Sequence, residues 1–415
     1  MDKVIKREGK NFTHDIELDS GKSFVVPMIE KAKFEQDDIG GSKNIVQNEM
    51  VIHPLQIQKE VFKPRDTPLS VNYESDKPYL SWKVNIASWS DVDKRTFACW
   101  GDHWVKVRLA EELEKLGCVT DVELDQADVT IYLFGSPFNF RKKRPYHYNP
   151  LSYNVVWFYS HPEKFSQQEA ARYDHIFCLS KQYLETIKEG FHHTVEDEPL
   201  YSCTNFTTPV NLPYGRDKRI AMVANARGAG APYGREVIKL LKPLKSWMES
   251  KELRMEVWGH KWDQFDKYNQ FPKEWYVDKY YPYDDLDRLY RTSKAVIIDG
   301  HPEMEEHGFV PMKIFDVFAS GGMPIIKRNA GTTEMFGDYV LQYDSVATLK
   351  ECLEVLDDRA ECFKIIKKGR TLAYKHTYAN RAKKIMDSIA DSVIGTDQLK
   401  IPESGNKAKD KIVWL

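Results

Sequence analysis

Apolar positions along this chain fall into two successive series of short strand-like runs separated by helical stretches, preceded by a segment with neither period. In residues 1–75 the apolar pieces Phe24-Val25-Val26 and Met50-Val51-Ile52 sit among charges and turn formers such as Asp38-Ile39-Gly40-Gly41, and no helical period persists. That segment reads as an N-terminal arm or a small accessory element. From Lys83 the pattern changes. Residues 83–89 are strand-like, and Val105, Leu109, Leu113 and Leu116 then recur at helical spacing until Gly117, a residue that commonly stops helices. Residues 119–122 and 129–135 resume as strands, and 154–159 and 175–180 read as buried strands, each followed by a polar loop and a helix-like stretch. Strand–loop–helix alternation of this kind predicts an α/β domain with a parallel sheet.

A second alternation follows the turn-rich residues 211–215. Strands are expected at 219–225, 254–259, 295–299 and 323–326, with helices at 235–248, 286–293 and 312–320, the last stopped by Gly321-Gly322. Residues 378–394 make a final amphipathic helix, and the Lys- and Asp-rich tail from Thr396 is expected to be loose. The division expected is therefore an arm at 1–75, α/β units at 76–212 and 213–365, a C-terminal helix at 366–395 and a tail at 396–415.

Composition narrows the class. With 415 residues, 42% hydrophobic and 29% charged, the chain is a globular protein of more than one domain. Lys+Arg 60 against Asp+Glu 62 leaves a net charge of −2, so no global basic field favours nucleic acid. The six cysteines form no CxxC pair, which excludes a zinc ribbon and a thioredoxin-like site and predicts reduced, mostly buried thiols. No run reaches the length of a membrane helix, and the first residues lack the apolar core of a signal peptide. A cytoplasmic location is expected, with peripheral attachment at the inner membrane face compatible with it. Aromatics at 13%, including 22 Tyr and 10 Trp, suit either stacking surfaces or core packing.

Two α/β units in series place loops from strand C-terminal ends on both sides of a cleft, the usual ligand position in open parallel sheets. Asn225 to Arg235 joins small residues to two arginines ahead of a helix. Its amides would approach a pyrophosphate while Arg227 or Arg235 supplies charge; a plain flexible connection accounts for the same composition. In His307 to Gly322, a helix starting near Pro311 would put Lys313 in its first turn and Asp316 one turn later, a cation for phosphate and a carboxylate for ribose hydroxyls. A solvated first-turn ion pair explains that spacing equally well. Trp258-Gly259-His260-Lys261-Trp262 offers aromatics at a strand end, for a base or for packing. Asp284-Asp285-Leu286-Asp287 reads as an acidic helix start rather than a metal site. In the first unit, Asp102 and His103 precede a helix and His161 follows a strand, where a general base or hydroxyl-orienting group belongs, although capping histidines occupy such positions too.

Taken together, the segments beginning at Ile220, Val257, Tyr280, Ala295 and Gly308 resemble the C-terminal half of CgeB-like glycosyltransferases of the GT-B fold. Trp100-Gly101-Asp102-His103, Ala127-Asp128-Val129, Trp157 to Glu163 and Tyr173 to Phe177 resemble the acceptor-side domain of bacterial polysaccharide glycosyltransferases of this kind. The resemblance covers about residues 83–394. It implies two Rossmann-like domains facing a cleft, with the C-terminal helix crossing back to the first. The second domain would bind a nucleotide-sugar donor through Asn225, Arg227, Arg235, Trp258, Gly259, Gly308, Phe309, Lys313 and Asp316. Lys313 would meet the donor phosphate, and Asp316 would stand where many relatives use Glu on the ribose. The first domain would hold a glycan or lipid-linked glycan acceptor near Asp102, His103 and His161. The family needs no bound metal or cofactor beyond the nucleotide-diphosphate sugar. Two other functions share this fold: a phage-type enzyme acting on modified DNA bases, for which Arg141-Lys142-Lys143-Arg144 offers a local basic strip, and a non-catalytic glycan-binding module.

Overall fold

The computed structural model describes residues 69–88, 101–134, 149, 151–165, 170, 172–190, 194–195, 198–204, 206, 216–226, 235–262 and 272–398, with strand residues 4–5, 13–17, 23–27 and 50–51. The chain divides into two units, residues 1–60 and 61–415. In the first unit, β1 (Val4–Ile5), β2 (Thr13–Glu17), β3 (Ser23–Pro27) and β4 (Met50–Val51) form two antiparallel pairs, β1 with β4 and β2 with β3. The apolar pieces at 24–26 and 50–51 fall on β3 and β4.

The second unit holds two parallel sheets, here called the first and second lobes. The first lobe runs β5 (Val84–Ala87), α1 (Gly101–Lys115), β6 (Val129–Phe134), β7 (Tyr153–Phe158), β8 (His175–Cys178), α2 (Lys181–Gly190) and β9 (Thr194–Val195). Its strands pair in the order β5-β6-β7-β8-β9, all parallel. Asn154 to Phe158 and all of β8 are buried, the run of covered residues expected of a parallel sheet.

The second lobe runs β10 (Arg219–Val223), α3 (Glu236–Leu241), α4 (Lys245–Ser250), β11 (Arg254–Trp258), β12 (Tyr276–Asp278), α5 (Leu286–Thr292), β13 (Ala295–Ile298) and α6 (Pro302–Glu306). It continues through α7 (Lys313–Ala319), β14 (Pro324–Lys327), α8 (Ala330–Phe336), β15 (Leu341–Tyr343), α9 (Val346–Val355) and α10 (Arg359–Ala373). Its sheet order is β12-β11-β10-β13-β14-β15. The chain winds outward from β10 in one direction through β11 and β12, then restarts on the other side at β13. That reversal opens a crevice at the C-terminal ends of β10 and β13.

Several expectations are revised. The helix expected at 235–248 is broken into α3, a 3-10 turn at Lys242–Leu244 and α4, because Pro243 has no N–H to continue the ladder. Residues 119–122 make one isolated bridge, Lys83 to Val119, rather than a strand. The short edge strands β9, β12 and β15 and the helices α9 and α10 were not expected. The final helix, α11 (Tyr378–Gln398), does return to the first lobe. Its Tyr378, Ala382, Ile385, Met386 and Ile389 join that lobe's core with Val105, Leu109 and Leu113 of α1. The hydroxyl of Tyr79 donates to Asp387, and that of Tyr73 to Asp391 at 3.3 Å. Five described cysteines are free thiols, four of them buried; Cys99, the 141–144 basic strip, residues 211–215 and the tail beyond 398 lie outside the described residues. Among the described residues no helix is long and apolar enough to cross a membrane.

Candidate active site

A cavity of about 420 Å³ lies between the lobes, at the crevice where the second sheet reverses. Its second-lobe wall is built from strand ends: Val223 to Asn225 after β10, Trp258 and Gly259 after β11, and Ile297 to Gly300 at β13. The β10 end is held as a strap. Three successive carbonyls each accept a hydrogen bond from a different element: Val223 from the Lys313 ammonium, Ala224 from Trp262 Nε1 at 2.6 Å, and Asn225 from Arg235 Nε and Nη2 at 3.0 and 2.9 Å. The Asn225 side chain in turn accepts the His260 N–H at 2.9 Å. Gly259 makes this approach sterically feasible. It sits at φ +147°, and a Cβ there would come 2.1 Å from the Ala224 oxygen.

Lys313 opens α7 and faces this cavity, so it is not the solvated first-turn lysine that spacing alone allows. Burial lowers its pKa to about 8, Arg235 adds to the lowering, and Asp316 and Asp299 oppose it. One turn on, burial raises the Asp316 carboxyl to about 7, while the Thr204 hydroxyl bonded to it and the Lys313 charge hold it down. Asp316 therefore meets a first-lobe side chain. Thr204 belongs to the segment leaving that lobe, and its N–H donates to the His376 carbonyl at 3.1 Å where the chain returns. With seven residues, α7 contributes a side-chain cation rather than a long helix dipole.

The first-lobe wall comes from the start of α1, the end of β7 and the segment after β9: Asp102, Trp104, Tyr159, Ser160, Ser202 and Cys203 among others. Asp102 is buried. The hydroxyl oxygens of Ser160 and Ser202 are buried without a partner among the described residues, an arrangement that polar ligands satisfy. The lining cations Lys313, Arg235 and Lys279 all stand on the second-lobe wall, with the Asp299 and Asp316 carboxyls beside them, and Asp102 stands on the first-lobe wall.

Of the residues read from sequence, Asp102, Asn225, Arg235, Trp258, Gly259, Lys313 and Asp316 come together here. Trp258 meets Tyr281 edge-on, centroids 5.4 Å apart. Arg227 lies outside the described residues. Four others stand elsewhere. His103 packs edge-on against Trp104, centroids 5.0 Å apart. His161, in a left-handed conformation at φ 58°, bonds Glu163 at 3.1 Å and lies behind His301, ring centroids 4.7 Å apart. Gly308 lies against Gln182, Ser180 and Gly331. Phe309 is 1% exposed and packs on Phe158 and Tyr183, centroids 5.6 and 5.5 Å away, so it belongs to the first lobe's core and not to a donor pocket. Sequence reading missed Asp299, His301, Tyr283 and Thr204. Asp299 carried a usable signal, as a carboxylate ending a buried strand; Thr204 carried none.

Residues 235–387 match a family model described as glycosyl transferase-like. No curated protein sequence matches the chain. Among solved structures the chain is similar to sucrose-phosphate synthase from Thermosynechococcus elongatus, with a TM-score of 0.52 and 10% identity over 76% of this chain and 99% of that one. It is also similar to an α-glucosyltransferase solved with UDP-glucose and DNA, at TM-score 0.49 and 14% identity over 74% and 98% of the two chains. Similarity to a chain of the GtfA/B complex has TM-score 0.41 and 12% identity over 65% of this chain, and spans 58% of that one. The likeness to sucrose-phosphate synthase is one of fold: the chain has the α/β GT-B arrangement of two Rossmann-like domains facing a cleft. Function rests on the site.

Proposed function

We propose that the chain is a glycosyltransferase that moves a sugar from a nucleoside-diphosphate donor, held by the second lobe, to a hydroxyl of an acceptor held by the first. The observation that carries this reading is the half-buried Lys313 ammonium beside Arg235 at the reversal of the second sheet, opposite the Asp102 carboxylate. The glycosyl transferase-like match at 235–387 covers the same lobe. In the division of labour we propose, residues 76–212 form the acceptor side and 213–365 the donor side.

The acceptor oxygen bonds to the anomeric carbon as the carbon–oxygen bond to the diphosphate breaks. The charge that gathers on the departing diphosphate falls against Lys313, a cation held in place on the Val223 carbonyl. Asp102 is the group placed to take the acceptor's proton if the anomeric configuration inverts; if it is retained, the leaving phosphate oxygen takes it. The Lys313 ammonium, with the braced Arg235 charge beside it, does the work that a divalent ion does in other transferases, so we propose donor binding without metal. Asp316, beside Lys313, stands on the ribose side of such a donor. We assign the acceptor to the glycans and lipid-linked glycans of a bacterial surface, in line with the resemblance of residues 83–394 to CgeB-like enzymes. A thermal-shift screen with UDP, GDP, CMP and dTDP, with and without EDTA, tests the reading. A ligand at about 100 times its Kd adds ~2.7 kcal/mol. One nucleoside diphosphate is expected to raise Tm with EDTA present; no shift from any of them overturns the donor site.

A further inference from the structure

Arg235 is the second cation of the donor wall, yet its hydrogen bonds run to protein. Nε and Nη2 donate to the Asn225 carbonyl at 3.0 and 2.9 Å, and Nη1 donates to the Asp299 carbonyl at 2.8 Å and its carboxylate at 3.3 Å. Four of the five N–H groups a guanidinium offers are thereby accounted for. Asp299, with its side chain 2% exposed, follows β13, while Asn225 follows β10, so one planar fork ties together the two strand ends that flank the reversal. Lys313 rests on the same strap, two carbonyls upstream at Val223.

We propose that Arg235 and Asp299 are positioning residues for Lys313: Arg235 fixes the carbonyl strap on which the ammonium rests, Asp299 fixes Arg235, and the pair sets the charge that Lys313 presents to a phosphate. The inference rests on the donor reading for its purpose but not for its test. An arginine so occupied is poorly suited to swing onto a ligand, and its rigid fork suits a brace better than a lysine would. Its fixed charge beside Lys313 disfavours the ammonium, and the buried Asp299 carboxylate favours it. The charged groups acting on Lys313 are Arg235 ahead of α3, Asp299 after β13 and Asp316 on α7 itself.

A brace and an electrostatic tuner separate cleanly, because Arg235→Gln and Asp299→Asn break the same ion pair but remove opposite charges. In the full chain, the pH dependence of Lys313 acetylation by acetic anhydride, followed by mass spectrometry of the Lys313 peptide, reports the ammonium's titration. Wild type should reach half-reactivity near pH 8. Arg235→Gln should move that midpoint up and Asp299→Asn should move it down, each by roughly one unit. Arg235→Lys, which keeps the charge and loses the fork, should leave the midpoint near wild type while weakening UDP binding measured by calorimetry. If Arg235→Gln does not fold, the downward shift in the near-isosteric Asp299→Asn still decides the matter. Midpoints that stay put, or that move in the same direction in both variants, overturn the inference. Absence of binding by UDP, GDP, CMP and dTDP alike to wild type, with opposed midpoint shifts intact, would overturn the donor reading and leave the tuning in place.

Discussion

Trp104 of the first lobe and Tyr283 of the second lie face to face, ring centroids 4.2 Å apart and planes 7° from parallel. Arg108, one turn along α1, places its guanidinium 5.8 Å from the Tyr283 ring and 3.4 Å from the Asp284 carboxylate. Trp104 and Tyr283 also line the cavity, so one of the contacts that tie the lobes is part of the site's wall. Aromatic pairs of this geometry contribute about 0.5–1.5 kcal/mol beyond their buried area. A double-mutant cycle of Trp104→Ala and Tyr283→Ala, read by denaturant unfolding, should show coupling of that size. Tyr283→Phe should preserve it, and purely additive losses would show that the stack does not form in solution.

Asp316 makes stability depend on pH in a direction opposite to that of most carboxylates. Its pKa rises from an ordinary 3.8 to about 7 in the folded chain. Across that window the folded state holds a proton that the unfolded state releases, so folding weakens as pH rises. Asp316→Asn abolishes the dependence. Its Tm should gain on wild type by several degrees between about pH 4 and pH 7, with the difference flat below that range. A difference that stays constant through the window contradicts the burial described here.

The two-sheet architecture was legible because strands buried on both faces leave apolar runs that alternate with helical spacing, as at 129–134 and 295–298. The short edge strands at 194–195, 276–278 and 341–343 carry too few residues to show a period, and pairing alone defines them. The site divides the same way. Lys313 and Asp316 could be placed from their spacing on one helix turn, but not their partners: Asp316 meets Thr204, and Lys313 the Val223 carbonyl, both far along the chain. Phe309 sat inside a legible motif and still belongs to the opposite lobe's core, because an aromatic beside a glycine looks the same in a pocket and in a packed junction. Arg235 was read as a phosphate ligand from its charge; what its fork grips depends on where two separate strands end.

Gly259 and Gly337 both sit in the conformation that favours glycine, but their surroundings differ. A Cβ at Gly259 would strike the Ala224 carbonyl, whereas nothing lies within 4 Å of one at Gly337. Gly337→Ala should cost only the backbone strain, about 1–3 kcal/mol. Gly259→Ala should cost a further 1–3 kcal/mol or so from overpacking and should disturb the strap beneath the cavity. Chemical denaturation of both variants checks this, and equal losses would contradict the close approach.

Phe309 gives the clearest separation of core from site. Phe309→Ala should cost about 3–5 kcal/mol of stability while leaving nucleotide affinity of the folded fraction within a factor of about 2–3. A stable variant with sharply weakened nucleotide binding would return Phe309 to the donor pocket.

Lys313 carries the account as a whole. A charge-assisted hydrogen bond to phosphate is worth roughly 1.5–3 kcal/mol, and ~1.4 kcal/mol is tenfold in affinity. Isothermal titration of wild type and Lys313→Ala with the nucleoside diphosphate that stabilises the chain should show affinity falling by about 10- to 150-fold in a variant that remains folded. Equal affinity in wild type and Lys313→Ala would contradict the donor site at the reversal of the second sheet, and the proposed transferase with it.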